Sequence, residues 1–300
     1  MDAPIGFTSL KVRVIIFGCG YVGKEFARTS VQLGWEVTAL TRNHDTASDL
    51  RKIGVRTVTG LLQSDDWWKE AEGAYDHVVN CVGAASPSLA GYRESYLHGM
   101  ESILGWMREK KIGAQNLLFT SSSSVYPQTD GGLVNEKSET KYASPRAQVL
   151  LEAERSCLNA PSSLALKRCV LRFSGLYGPG RHLLVDKIRR GDPMNGSPHR
   201  VLNLLHRDDA ASSIHAFLQS DPSEEGGYIY NVCDGQHAKR GEIAEWVANR
   251  VGVSVPAFVG ADADNGPNRR VDNAHICNEL KWSPQYPDFQ SGYEDFLASE

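Results

Sequence analysis

Apolar residues in the first 175 positions fall into short unbroken runs, separated by stretches in which they recur every three or four residues. The run Val12-Arg13-Val14-Ile15-Ile16-Phe17 has the length and β-branched character of a strand buried on both faces. Over 21–33, Val22, Phe26 and Ser30/Leu33 share one helical face, and Gly34 stands where such a helix would stop. Residues 35–40 read as a second strand. Further strands are predicted over 56–59, 77–82, 117–120 and 169–173, with helices at 49–53, 65–72, 92–110 and 144–158. This alternation predicts an α/β fold, a doubly wound parallel sheet with helices on both faces. After Phe173 the texture changes to Ser174-Gly175-Leu176-Tyr177-Gly178-Pro179-Gly180 and then to a glycine- and proline-rich passage at 191–198. The break divides the chain into a sheet domain at 8–175 and a smaller C-terminal mixed α/β lobe at 176–300, some of whose segments can rejoin the sheet. Residues 260–268 read as a polar surface loop.

The first strand runs directly into Gly18-Cys19-Gly20-Tyr21-Val22-Gly23, a G-x-G-x-x-G that opens a helix. In that context the pattern is the dinucleotide fingerprint of a Rossmann sheet. Gly18 permits the tight turn, Gly20 lets backbone approach a pyrophosphate, and Gly23 brings the helix close to the strand. The second strand ends in Thr41-Arg42, where an acidic residue would accept a ribose 2′-hydroxyl. An arginine there favours a 2′-phosphate, so NADP is expected over NAD; the alternative is a solvated arginine at a strand end. Cys81, Val82 and Gly83 close another strand at its carboxyl end, where ligands of open sheets collect, and Gly83 would admit the cofactor closely.

Composition narrows the partner. The 300 residues are 41% hydrophobic, enough for a full core. Lys and Arg total 32 against 36 for Asp and Glu, and a net charge of −4 offers no electrostatic footprint for nucleic acid or an anionic membrane. A small-molecule substrate is expected instead. Six cysteines are scattered without a C-x-x-C pair, which points to a reducing cytoplasm and no metal site. Neither a signal-peptide pattern nor a bilayer-length apolar run is present, so a cytoplasmic location is expected. Asp208 and Asp209 lack metal-ligand spacing and suit a helix start, while Glu152 and Glu154 beside Arg155 read as a solvated helix face.

From Phe119-Thr120-Ser121-Ser122-Ser123-Ser124-Val125-Tyr126-Pro127 onward the chain resembles the extended short-chain dehydrogenases/reductases, specifically an atypical branch of the NAD(P)-dependent epimerase/dehydratase family. The likeness continues in order through Leu171-Arg172, Tyr177-Gly178-Pro179-Gly180, Asn203-Leu204-Leu205-His206-Arg207-Asp208-Asp209-Ala210, Tyr230-Asn231-Val232 and Glu279-Leu280-Lys281-Trp282-Ser283-Pro284. The resemblance implies an NADP-dependent oxidoreductase or epimerase-like enzyme acting on a hydroxyl or carbonyl carbon of a small polar, sugar-nucleotide-like substrate. It implies a Ser/Thr at Ser122 that orients the substrate oxygen, and a Tyr-x-x-x-Lys pair that handles its proton. Here the corresponding stretch is Tyr142-Ala143-Ser144-Pro145-Arg146, so Tyr142 is the expected acid/base and Arg146 its electrostatic and ribose partner. Arginine does not deprotonate and is not interchangeable with lysine in a proton relay. The other reading is therefore a catalytically silent NADP-binding sensor or assembly protein.

Pro145 suits a first helical turn, which places the helix start near Ser144 and Tyr142 just before it. Phe17 and Gly60-Leu61 depart from the family's usual glycine and Gly-Asp. Ser123 and Ser124 stand where sugar-nucleotide dehydratases carry an acidic pair, and neither hydroxyl can serve as an acid or base near neutrality. Ser123, Arg181 and His182 are the candidate substrate contacts, with Arg181 the better partner for an anion. The resemblance also implies a homodimer.

Overall fold

A computed structural model of the chain describes residues 11–220, 225–260 and 266–297. Residues 8–10 of the expected first domain and 261–265 of the expected polar loop lie outside that range. The central element is a sheet of seven strands, each adjacent pair parallel.

The first part of the chain supplies β1 (Arg13–Phe17), α1 (Tyr21–Gln32), β2 (Glu36–Thr41), α2 (His44–Lys52), β3 (Arg56–Thr59) and β4 (His77–Asn80). It continues through α3 (Leu89–Tyr92), a π turn (Arg93–His98), α4 (Gly99–Glu109), β5 (Ala114–Ser122), β6 (Leu133–Val134), α5 (Pro145–Leu158) and β7 (Ala165–Phe173). The remainder holds β8 (Gly175–Tyr177), α6 (Leu183–Arg189), β9 (Met194–Asn195), β10 (Leu204–His206), α7 (Arg207–Leu218) and β11 (Gly226–Val232). It ends with α8 (Arg240–Val251), β12 (Phe258–Val259), β13 (Arg270–Val271), α9 (Ala274–Leu280) and α10 (Phe289–Leu297).

The sheet order is β11-β7-β5-β4-β1-β2-β3. From β1 the chain first builds outward through β2 and β3, then returns to β1's other side and builds through β4, β5, β7 and β11. The reversal between β1 and β4 is the topological switch point of a doubly wound sheet. Three two-stranded ladders, β8 with β10, β9 with β12 and β6 with β13, build the rest. Val14 and Ile16 on one face of β1, and Ile15 and Phe17 on the other, are fully buried, each face in its own apolar cluster.

Several predicted elements shift. The helix expected at 65–72 is a single 3₁₀ turn (Asp66–Trp68), held by Trp67, whose indole N–H donates to the Leu62 carbonyl at 3.2 Å. The helix expected at 92–110 is interrupted by the π turn. β11 and α7, both after residue 175, pack in the cluster that carries β1, α1 and β7. The residues of the second part thus form one side of the sheet domain's core as well as a lobe of their own around α6, α8 and α10. Among the described residues, no helix is long and apolar enough to cross a membrane.

Candidate functional site

Turns leaving the carboxyl ends of β1, β2, β4, β5 and β7 line one cleft of about 1050 Å³. It straddles the switch point, where the diverging connections leave a crevice. The three glycines of the first turn divide the work there. Gly18 has φ +82°, and a Cβ on it would lie 2.6 Å from the Val82 backbone; one on Gly23 would lie 2.5 Å from the Gly18 carbonyl oxygen. These two therefore close the turn against the end of β4 and seat α1 on β1. At Gly20 an added Cβ meets no protein atom within 4 Å, so the backbone there faces the open cleft. Gly20 is the N-cap of α1, which carries no capping side chain and no acid in its first turn. Its first N–H groups and the positive end of its dipole are left for a ligand. Cys19 and Cys81 also line this end; burial pushes both thiols up, Cys81 to about 12, so they act as small apolar walls.

At the end of β2, Thr41 Oγ1 accepts a hydrogen bond from the Asn43 N–H (3.2 Å), and the Asn43 side chain caps α2 by accepting from the Thr46 N–H (2.9 Å). Arg42, between them, is exposed and lines the cleft. At the end of β4 the Asn80 side chain accepts from the Val82 N–H (3.1 Å). The next residues are held from the π turn: Ala84 N–H donates to the Tyr96 hydroxyl at 3.1 Å and Ala85 N–H to Ser95 Oγ at 3.0 Å. Single π turns recur at functional sites because the extra residue re-aims side chains. Here the turn fixes the loop that carries Gly83. Tyr96 itself lines the cleft, its phenol pushed up by burial against the opposing Ala84 N–H.

The end of β5 brings in the serine run. Ser122 Oγ accepts from the Ser124 N–H at 3.1 Å, which leaves its own hydrogen for another acceptor. Ser123 is buried; its hydroxyl accepts from Ser174 Oγ at 3.3 Å, and its carbonyl accepts from Arg269 Nη2 at 2.8 Å. Burial lowers the pKa of Arg269, whose Nε is buried without a hydrogen-bond partner. Four arginines, Arg42, Arg181, Arg200 and Arg269, line the cleft against one carboxylate, Glu94, among the described residues. Arginines on a concave wall favour anions.

Below the cleft lies a buried ion pair that the sequence pattern misplaced. Glu154, expected on a solvated helix face, is 2% exposed. Arg172 grips it from β7, with Nη2 2.7 Å from Oε2 and Nε 3.1 Å from Oε1, while Ser121 Oγ donates to Oε1 at 2.6 Å. Arg172 Nη1 also donates to the Tyr126 hydroxyl (2.9 Å), which donates to Asn231 Oδ1 on β11 (2.7 Å). The available signal was Arg172 itself, since a charge in a buried strand requires a partner. Glu152 stays on the surface side and meets Arg93 at 3.4 Å. Asp208 and Asp209 do lie in the first turn of α7, and Asp209 additionally accepts from the Gln285 and Tyr286 N–H groups at 2.6 and 3.0 Å.

Gly18, Cys19, Gly20, Tyr21, Val22, Thr41, Arg42, Cys81, Val82, Gly83, Ser122, Ser123 and Arg181 thus meet on one cleft wall, with Gly23 packed behind it. Tyr142, Arg146 and His182 are not part of that wall. Ser144 caps α5 and Pro145 opens it, so Tyr142 falls in the preceding turn and is 71% exposed. Arg146 Nη1 donates to the Pro87 carbonyl (3.0 Å), and its guanidinium lies over the Tyr92 ring at 5.7 Å. His182 is buried and stacked on Phe296 with ring centroids 3.4 Å apart. The sequence reading missed Ser95, Tyr96, Arg200, Asn203 and Arg269, which reach the cleft only through the fold.

Residues 14–233 match the NAD dependent epimerase/dehydratase family. The chain belongs to that family. Over 282 residues it is 29% identical to Protein YeeZ of Escherichia coli, with 92% of this chain and 97% of the relative covered. A solved structure of a putative NAD-dependent epimerase/dehydratase from Methylobacillus flagellatus is 27% identical, with a TM-score of 0.75 over 97% of this chain and 99% of the other. The fold is also that of the UDP-glucuronic acid 4-epimerase of Bacillus cereus, solved with UDP-glucuronic acid and NAD, at a TM-score of 0.80 and 16% identity over 96% and 99% of the two chains. In this family member the nucleotide-binding sheet, its switch-point cleft and the glycine turn are all in place.

Proposed function

We propose that the protein is an NADP-dependent oxidoreductase or epimerase-like enzyme acting at a hydroxyl or carbonyl carbon of a small, anionic, sugar-nucleotide-like substrate. The observation that carries the cofactor half is Arg42 at the mouth of the cleft beside the capped start of α2, with no carboxylate on that part of the wall. A guanidinium there makes charge-assisted hydrogen bonds to a 2′-phosphate and offers nothing comparable to a ribose 2′-hydroxyl. Gly18 and Gly23 shape the pyrophosphate cradle, and the bare backbone of Gly20 admits the group. A bound nicotinamide supplies the hydride chemistry. The protein's part is orientation and proton handling: the remaining hydrogen of Ser122 points the site to a substrate oxygen, and Arg269 supplies charge for an anionic substituent. The solved relative of Bacillus cereus named above holds an anionic sugar nucleotide, which agrees with this reading.

In calorimetric titrations NADP is expected to bind more tightly than NAD, and Arg42→Ala to remove that preference, at a cost of about 1.5–3 kcal/mol confined to NADP. Equal affinities of the unaltered protein for both dinucleotides would refute the cofactor assignment. In this reading Tyr142 handles the proton, which requires its turn to carry the phenol over Ser122 when the cleft is filled. Tyr142→Phe is then expected to lower turnover by roughly a hundredfold or more while leaving NADP affinity unchanged. Unchanged turnover in Tyr142→Phe with a collapse in Tyr96→Phe would move the role to Tyr96, the phenol already on the wall. Intact NADP binding with no redox activity on any sugar nucleotide tried would favour the silent cofactor-binding protein.

A further inference from the structure

The segment Gly178-Pro179-Gly180-Arg181 opens the second part of the chain, yet it is folded back onto the first helix. Arg181 N–H donates to the Gly178 carbonyl at 2.9 Å, and Gly180 has φ +74°. That is a type II turn, with proline at its second position and glycine at the third, where positive φ is required. Gly178 lies tight against α1's first residue, for a Cβ on it would come 3.2 Å from the Tyr21 hydroxyl. The turn delivers the Arg181 guanidinium to 5.5 Å from the centre of the Tyr21 ring. Tyr21 immediately follows the open backbone of Gly20.

A second guanidinium, Arg207, lies 5.8 Å from the same ring. Its charge is matched, because Asp208 is 2.8 Å away and Glu25 3.5 Å away. No carboxylate lies within ion-pair distance of Arg181 among the described residues. The first turn of α1 offers no acid either, and the Tyr21 hydroxyl, pushed up to about 12 mainly by burial, has no hydrogen-bond partner. An exposed guanidinium without a carboxylate partner thus lies over the side chain of the first residue of α1, next to the Gly20 backbone that faces the cleft.

We propose that Arg181 is a pyrophosphate contact, a cation placed by the second part of the chain on the diphosphate of the dinucleotide rather than on the substrate. It rests on the dinucleotide reading above. Its consequence is that the cofactor ties the 178–181 turn to the glycine turn, so dinucleotide binding joins the two parts of the protein at a point remote from Arg42.

Two adenine nucleotides separate the parts of the site: ADP carries the diphosphate without the 2′-phosphate, and adenosine 2′-monophosphate carries the 2′-phosphate without the diphosphate. Calorimetry on the full chain is expected to show Arg181→Gln weakening ADP and NADP by roughly ten- to a hundredfold, the loss of one charge-assisted contact. Adenosine 2′-monophosphate is expected to bind Arg181→Gln as it binds the unaltered protein, and Arg181→Lys to recover part of the ADP affinity. Arg42→Ala should give the reverse pattern, weak adenosine 2′-monophosphate and unchanged ADP. Unaltered ADP affinity in Arg181→Gln, or an equal loss for both nucleotides, overturns the assignment. Binding of neither nucleotide to the unaltered protein overturns the dinucleotide reading itself.

Discussion

Gly20→Val is expected to abolish dinucleotide binding while the protein stays folded. The three glycines of the turn do not respond alike to substitution. A side chain on Gly18 or Gly23 collides with backbone at 2.6 or 2.5 Å, so loss of binding there would be confounded by damage to the fold. Gly20 has a negative φ of −84°, and its Cβ direction is empty of protein to 4 Å. A side chain there therefore starts out into the open cleft, in the space that a pyrophosphate needs. We expect NADP affinity to fall by roughly a hundredfold or more, about 2.7 kcal/mol, with the thermal unfolding midpoint little changed. An unchanged titration in a folded Gly20→Val protein would show that the turn is structural and that the cleft takes its ligand elsewhere.

The second large effect concerns Arg172. Arg172 and Glu154 are 4% and 2% exposed, so their charged groups have given up hydration for each other. Arg172→Leu leaves a buried carboxylate with only Ser121 to answer it, and removing one partner of such a pair costs about 3–5 kcal/mol. The double substitution Glu154→Leu with Arg172→Leu removes both desolvated charges, and pairs replaced together by apolar residues are often close to neutral. Chemical denaturation should therefore show the double variant more stable than the Arg172→Leu single variant. A single-variant loss below about 1 kcal/mol, the range of an exposed pair, would show that water reaches Glu154. The network also ties β5, α5, β7 and β11 together directly beneath Ser122, so the single variant should loosen the strand end that presents the hydroxyl.

Arg172 and Glu154 also show where reading the chain stops working. Helical spacing placed Glu154 beside Arg155 and Glu152 on a polar stripe, and nothing local distinguishes these three charges. Which of them is buried depends on what packs on α5, and that is β5 and β7, 33 and 18 residues away from Glu154 at the contacts with Ser121 and Arg172. Tyr142 is the converse case. Its position just before the helix followed from Pro145, because a proline ring is tolerated only in the first turn. Its 71% exposure did not follow, since that depends on how the 140–144 turn lies against the rest of the molecule.

What the sequence determined by itself was the local and the periodic. Short stretches rich in β-branched and apolar residues, glycines where φ must be positive or backbone must come close, and a proline at a helix start dictate conformation through sterics within a few residues. Hence the strands β1, β2, β3 and β4, the helix α1 and the glycine turn are legible, and with them the sheet and its cofactor end. The tertiary structure alone decided which distant polar groups share a wall. Ser95 and Tyr96 on a π turn, Arg269 on the ladder strand's approach, and Arg181 on a turn folded back to Tyr21 reach the cleft by chain reversals whose direction no local pattern records. Their placement is set by the burial of two apolar sheet faces, which fixes the fold globally and carries the polar side chains to the cleft as a consequence.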